Sequence, residues 1–305
     1  MSNITVTPAE FLPPRPLTFA TTVKTYYHLT KPGIIYGNGI TATAGFLLAS
    51  RGRVDFWLLI ATLIGVSSVI ASACVCNNYL DQGIDAKMER TKKRALVDKT
   101  ISNRSALIYA AVLSIIGFAT LITFTNALTV IVGVIGIVFY VALYGLAKRK
   151  TIYGTEIGSI SGSMPIVAGY TAVTGRFDLT ALLLFLVLTF WQMPHFYAIA
   201  MYRAKDYAAA KLPVLPVVKG MYQTKIRMMI YTLAFGLAAS SLTFFGFTGY
   251  TYLSIVVIAT GAWLWRGFNG FKTMDDVKWA RKMFGFSLIV LLAFSLGISF
   301  NNFLP

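Results

Sequence analysis

Acidic residues are scarce in this sequence. Eleven Asp and Glu stand among 305 residues, and all charged residues together make up 12%. A soluble domain carries roughly 25%, so an ordinary soluble enzyme is excluded. A disordered chain, which needs high charge and little apolar content, is excluded too. Cysteine is nearly absent. Cys74 and Cys76 cannot build a disulfide scaffold. Two residues apart on a helix, they point about 200° away from each other. No metal-ligand spacing surrounds them, so they read as free packing thiols. Histidine occurs twice, at 28 and 195. No basic start, apolar stretch and small-residue cleavage site marks a signal peptide. No linker is long enough to divide the chain into domains.

What is present is apolar bulk and positive charge. Apolar residues reach 56%, and 27 Lys and Arg give a net charge of +16. The mean hydropathy is +0.68. A basic chain invites a nucleic-acid reading, and the placement of the charge decides against it. Nine apolar stretches approach the roughly 20 residues that a membrane-spanning helix needs. They lie near Ile34–Ser50, Phe56–Leu80, Ala106–Phe124, Ala127–Leu146, Ile152–Thr174, Leu179–Met201, Met228–Phe247, Tyr252–Trp265 and Met283–Phe300. Lipid leaves no partner for a bare peptide group, so these stretches are expected as helices. Short alternating segments of a membrane β-barrel are not seen.

Nine spans put alternate loops on opposite sides. Twenty-four of the 27 basic residues then fall on the side of the N-terminus, and only Arg51, Arg53 and Arg176 fall on the other. The positive-inside rule makes the rich side cytoplasmic and leaves the C-terminus outside. The expected architecture is an all-α, polytopic bundle of nine transmembrane helices in the lipid bilayer. Residues 1–25, polar and carrying four prolines, are expected as a loose cytoplasmic tail, and 26–305 as one membrane domain.

The end of the second span carries the chemistry. Asn77, Asn78, Asp81 and Asp85 fall on one stripe of a continuing helix. Acids at a membrane boundary are costly unless paired, hydrated or metal-bound. Carboxylates and amide oxygens suit a hard cation such as Mg²⁺, which bridges to substrate phosphates. A dense basic run follows at once, with Arg90, Lys93 and Arg94. Acids that hold Mg²⁺ beside cations that hold phosphate oxygens make a diphosphate site. The run also serves topology and lipid headgroups.

The pattern N-N-x-x-D-x-x-x-D followed by R-T-x-x-R, from Asn77 to Arg94, resembles the intramembrane prenyltransferase superfamily. Those enzymes join an isoprenoid diphosphate to an acceptor, usually an aromatic ring. Asn78 stands where the superfamily often has Asp. A second acid-rich motif, usual in the superfamily after the sixth span, is reduced here to Asp206. In its place stand W-Q-M-P-H-F-Y-A at Trp191–Ala198, Y-R-x-K-D-Y at Tyr202–Tyr207 and L-P-V-L-P at Leu212–Pro216. Together with L-T-K-P-G-I at Leu29–Ile34, the stretch Tyr153–Pro165, A-V-T-G at Ala172–Gly175 and W-A-R-K-M-F-G-F-S at Trp279–Ser287, this is similar to the protohaem IX farnesyltransferases, from about Tyr26 onward.

That resemblance implies transfer of a farnesyl group from farnesyl diphosphate to a vinyl group of haem B. Water adds, and haem O results. It implies Mg²⁺ as cofactor, Asp81 and Asp85 as catalytic acids holding the metal with Asn77 and Asn78, and Arg90, Lys93 and Arg94 on the diphosphate. It also implies the bacterial inner membrane, with product passed to a terminal oxidase or a haem A synthase. With a haem acceptor, His195 becomes an iron ligand or a base beside the vinyl group; spacing alone allows a helix–helix contact equally. Arg203 and Lys205 match haem propionates, or serve topology. His28 reads as packing. Gly154, Gly158 and Gly162 read as a close-packing helix face, and Glu156 as a cavity residue or a paired acid. A quinone-precursor prenyltransferase and a transporter are the rival readings. The first is disfavoured by the lost second acid motif, the second by the Arg-rich run.

Overall fold

The computed structural model describes residues 18–301. Their regular structure is entirely helical. An opening helix α1 (Phe19–Leu29) leads to α2 (Pro32–Ser50) and α3 (Phe56–Leu80), and one short turn of helix, α4 (Gln82–Asp85), follows. Then come α5 (Asn103–Phe124) and α6 (Ala127–Val138). The latter runs through a π-helical turn at Phe139–Leu143 into α7 (Tyr144–Lys150). Next are α8 (Gly154–Thr174), α9 (Leu179–Tyr202), and the short α10 (Ala204–Ala209) and α11 (Leu215–Val218). The chain closes with α12 (Gly220–Phe244), α13 (Tyr250–Asn269) and α14 (Asp276–Ser299).

Helix starts are written in the sequence as side-chain caps. Asp55, Ser102, Asn126, Asp178 and Asp275 each accept the backbone N–H three residues on, at the heads of α3, α5, α6, α9 and α14. Taking α6–α7 as one rod, nine helical runs of at least 19 residues stand among the described residues, one on each expected stretch. Six of them, α3, α5, α6–α7, α9, α12 and α14, are long and apolar enough to cross a membrane. The chain is a multi-pass membrane protein. Large apolar side chains such as Ile115, Ile122, Leu237 and Ile258 are exposed on its outside, as a lipid-facing surface requires and a soluble one avoids.

The expected tail falls in two parts, and only the second can be compared with the structure. Residues 1–17 lie outside the described residues, as does the end of the chain from 302. Residues 19–25 are not loose: Thr18 caps Thr21 N–H, and they form the first turns of α1. The spacing of Phe19, Val23 and Tyr27, all exposed, is that of one apolar helix face, which the neighbouring prolines obscured.

The long helices pack in a closed ring of sequential neighbours, with α14 returning to α2. The ring is pinched where α2 meets α8. A Cβ on Gly169 would lie 1.9 Å from the Ala42 carbonyl oxygen, and one on Gly45 would lie 2.2 Å from that of Ile166. Only glycine lets these two backbones touch. The expected face of Gly154, Gly158 and Gly162 is also closely packed, against the Lys148 backbone and the Tyr144 and Gln192 side chains. The pinch leaves one cavity of about 890 Å³ among α2, α3, α6–α7, α8 and α9, with α14 on one side.

Candidate active site

α3 ends within its polar stripe, after Asn77 and Asn78. Asp81 leaves helical geometry at φ −92° and ψ 2°, and α4 resumes at Gln82. Asp85 N–H still donates to the Asp81 carbonyl at 2.8 Å, so both acids stay on one side. Asn77, Asn78, Asp81 and Asp85 are all buried.

Each acid already holds a cation. Arg94 donates to the Asp85 carboxylate at 2.7 Å. Asp81 is paired with Lys148, and with Arg149 at 2.8 Å. Arg149 also donates to the Leu80 carbonyl at 2.8 Å, closing the C-terminal end of α3, where a cation is favoured. Thr91 Oγ1 donates to the Asp85 carbonyl and ties the basic run to the acid.

The two asparagines divide their work. Asn77 Oδ1 accepts from Lys31 Nζ at 2.8 Å. Its Nδ2 is buried without a partner among the described residues. The group Asn77 leaves free is therefore a donor, which suits a phosphate oxygen and not a metal. Asn78 does not line the cavity. It donates to the Leu29 carbonyl at 2.9 Å and accepts from Arg94 at 3.2 Å. The amide oxygens, like the carboxylates, thus each meet a cation here, and the carboxylates are the charged ligands of the four. Two carboxylates suit Mg²⁺, which typically takes one or two and completes its shell with water and substrate phosphates. No group of three His, Cys, Asp or Glu that could hold a metal unaided stands among the described residues.

Lys31 reaches Asn77 from a left-handed backbone, φ 55° and ψ 66°, just before Pro32 opens α2. A β-carbon resists that region, at a cost of order 1–3 kcal/mol. Loss of hydration, with repulsion from Arg94 and Lys148, brings its ammonium down to about 8. On the facing rod the π turn adds one residue to the helical repeat. Tyr140 and Tyr144 stack at 5.7 Å, Lys148 lies 5.0 Å over the Tyr144 ring, and all three line the cavity. Single π turns recur at functional sites.

His195 lines the same cavity. α9 sets it one turn after Trp191, and the two rings stack at 4.7 Å. Phe284 of α14 lies 4.9 Å away and Phe196 stands edge-on at 5.1 Å. His195 Nδ1 meets Ser287 Oγ at 2.7 Å. Gln192 donates to the Ser159 and Leu188 carbonyls and to Ser163 Oγ.

The remaining expected residues separate. Arg90, Arg94 and Arg203 line the cavity, whereas Lys93 and Lys205 are exposed and do not. Arg203 lies 3.8 Å from Asp206. Glu156 is off the wall. It accepts from Tyr197 at 2.6 Å and Arg227 at 3.2 Å, a paired acid between α8, α9 and α12. His28 is corrected from packing to an exposed position at the cavity edge. Cys74 and Cys76 are free thiols. Sequence reasoning missed Lys31, Lys148, Arg149 and Ser287. Lys31 and Ser287 lie in the motifs Leu29–Ile34 and Trp279–Ser287, and the basic triplet Lys148–Lys150 carries only a topology signal in the sequence.

Residues 38–291 match the UbiA prenyltransferase family. The chain belongs to that family. It is 50% identical over 282 residues to a protein of Yersinia pseudotuberculosis named protoheme IX farnesyltransferase, covering 92% of this chain and 96% of that one. It is 49% identical over 284 residues to a protein of the same name from Photorhabdus laumondii, covering 93% and 97%. Solved structures share the fold at low identity. A digeranylgeranylglyceryl phosphate synthase has a TM-score of 0.76 at 20% identity, covering 92% of this chain and 98% of that one. A UbiA homologue from Archaeoglobus fulgidus bound to GPP and Mg²⁺ has 0.66 at 11%, covering 90% and 99%. As a UbiA-family chain, this protein is a prenyl-transferring enzyme.

Proposed function

We propose that this protein transfers a farnesyl group from farnesyl diphosphate to a vinyl group of haem B, with addition of water, to give haem O. One observation carries the reading: a single cavity has the Asp81–Asp85 acids and their cations at one part of its wall and an aromatic-boxed histidine at another. The relatives' name supports the choice of acceptor.

Asp81 and Asp85 hold Mg²⁺ on the diphosphate, and the ion offsets the charge of the leaving group when bound. Arg90 and Arg94, with Lys31 and Lys148, take the phosphate oxygens. Asn77 Nδ2 donates to one of them. Stabilising the departing anion is the main electrostatic task. The C1–O bond of the prenyl chain breaks, and diphosphate keeps the electron pair. The allylic cation takes the vinyl π pair, a new C–C bond forms, and water captures the second cation with loss of a proton. The tyrosine and aliphatic lining shields the first cation from water. Arg203 faces a propionate.

The proposed topology is nine crossings of the bacterial inner membrane, N-terminus and active site cytoplasmic, C-terminus outside. A haem A synthase or terminal oxidase takes the product. Membranes containing the protein, given haem B, farnesyl diphosphate and Mg²⁺, should form haem O, resolved by chromatography. Prenylation of a hydroxybenzoate instead, with no haem product, overturns the reading.

A further inference from the structure

The imidazole of His195 sits in a place where its protons can be assigned. Ser287 Oγ lies 2.6 Å from the Phe284 carbonyl oxygen and 2.7 Å from His195 Nδ1. A hydroxyl has one proton, and a carbonyl has none. Two oxygens at 2.6 Å require a proton between them, so the serine proton points to Phe284. The lone pair of Oγ is then what faces His195, and Nδ1 must donate. In a neutral imidazole the other nitrogen carries the lone pair. The ring's neighbours are Trp191, Phe196 and Phe284, and nothing in that box favours a second proton. Nε2 has no hydrogen-bond partner among the described residues, and His195 lies on the cavity wall.

From this we infer that Ser287 is a positioning residue: it locks His195 in the Nδ1–H tautomer and presents a bare Nε2 lone pair to the iron of a metalloporphyrin acceptor. The inference rests on the acceptor reading proposed above. A histidine that ligates a metal almost always donates its second N–H to an oxygen, which fixes the ring and makes it a stronger donor. Here the oxygen comes from α14 and the ring from α9. A second tether holds the same pair of helices independently, since Trp191 Nε1 donates to the Ser287 backbone carbonyl at 2.8 Å. Ser287→Ala removes one atom at a fully buried position and leaves that tether in place, so the wall keeps its shape while Nδ1 loses its acceptor.

The test uses the full-length protein, purified, with ferrous haem and, separately, metal-free protoporphyrin IX as probes. Affinity is read by absorbance, and the iron–histidine stretch by resonance Raman spectroscopy. Wild type should show the iron–nitrogen band, and His195→Ala should lose it. Ser287→Ala should shift it to lower frequency and weaken haem binding about tenfold, with protoporphyrin IX affinity unchanged in both variants. A Ser287→Ala protein with wild-type band and haem affinity overturns the inference. So does a band that persists in His195→Ala, or an equal loss of haem and protoporphyrin IX affinity in Ser287→Ala, which marks packing. Those outcomes leave the acceptor reading standing. Wild type that binds neither probe overturns both.

Discussion

Lys148→Gln should make this site bind a divalent cation more tightly and its prenyl diphosphate more weakly. Lys148 is paired with Asp81, the acid proposed to hold Mg²⁺, and its side chain is only 13% exposed. A metal on Asp81 would stand about 5 Å from that ammonium. Charges of +2 and +1 at that distance, with an effective dielectric of ~20, repel by roughly 7 kcal/mol. The lysine stem can swing toward the cavity, and Arg149 stays on Asp81 in the variant, so about a third of this should be recovered. That is ~2 kcal/mol, or about 30-fold in affinity. The assay is a titration of Mn²⁺, a stand-in for Mg²⁺ with the same taste for oxygen ligands, into purified protein without diphosphate, followed by electron paramagnetic resonance. Wild type should bind weakly and tighten sharply when farnesyl diphosphate is added. Lys148→Gln should bind Mn²⁺ alone about 30-fold more tightly, while KM for the diphosphate rises about tenfold, for one lost charge-assisted contact. Unchanged or weaker Mn²⁺ binding in the variant would refute the argument that Lys148 guards the metal-binding acid.

Other consequences follow from the same geometry. Asp85→Asn, which removes a buried carboxylate and leaves Arg94 without its 2.7 Å partner, should cut kcat on the order of 100-fold, read as haem O formed per minute. Gly169→Ala drives a Cβ to 1.9 Å from the Ala42 carbonyl oxygen. Backbone cannot turn aside, so the loss should reach the upper end of the ~1–3 kcal/mol of overpacking, seen as a lowered Tm in detergent. Gly37→Ala, with nothing within 4 Å of its new Cβ, should match wild type or gain slightly, given the helix preference for Ala of ~1 kcal/mol. If Arg203 faces a propionate as proposed, Arg203→Ala should raise the haem KM several-fold, whereas Lys205→Ala, exposed and off the cavity wall, should stay within about twofold.

The helices were legible because their signal is local. Runs of apolar residues between caps and charged loops located all nine long helices, and only their ends moved. The fourth stretch, expected to stop at Leu146, continues as helix to Lys150. That extension matters, because Lys148 and Arg149 turn from loop charges into side chains aimed at Asp81. The acidic motif was legible for the same local reason, and the spacing from Asp81 to Arg94 already brings acid and cation together. What stayed hidden depends on pairs far apart in the chain. Lys31 meets Asn77 across 46 residues and His195 meets Ser287 across 92. Glu156 finds Arg227 across 71. Nor does composition announce a π turn: Phe139–Leu143 is ordinary helix by propensity, and tertiary packing decides it. The amides' partners were not legible either, because spacing tells which residues share a face, not which of their atoms are already bonded.

The charge pattern of the site bears on the order in which its ligands enter. Two carboxylates, Asp81 and Asp85, face four cations, Lys31, Arg94, Lys148 and Arg149. Before any ligand arrives the cluster is therefore positive, and a divalent cation gains little there: each acid is already neutralised in place. An anion gains much more, since Arg90 adds a fifth cation to the wall and Asn77 offers an unpaired donor. In the proposed reaction a diphosphate would draw Lys148 and Arg94 onto its oxygens and free the acids, and a divalent metal would then find both carboxylate and phosphate ligands. Metal affinity would in this way be conditional on the substrate, and linkage would require the reverse as well. The same conditionality would protect the proposed acceptor. Haem also carries carboxylates, and a cluster left permanently loaded with metal would compete for them. With the acids held by lysine and arginine until a diphosphate displaces them, the propionates of the proposed haem acceptor would meet Arg203 on the other part of the wall.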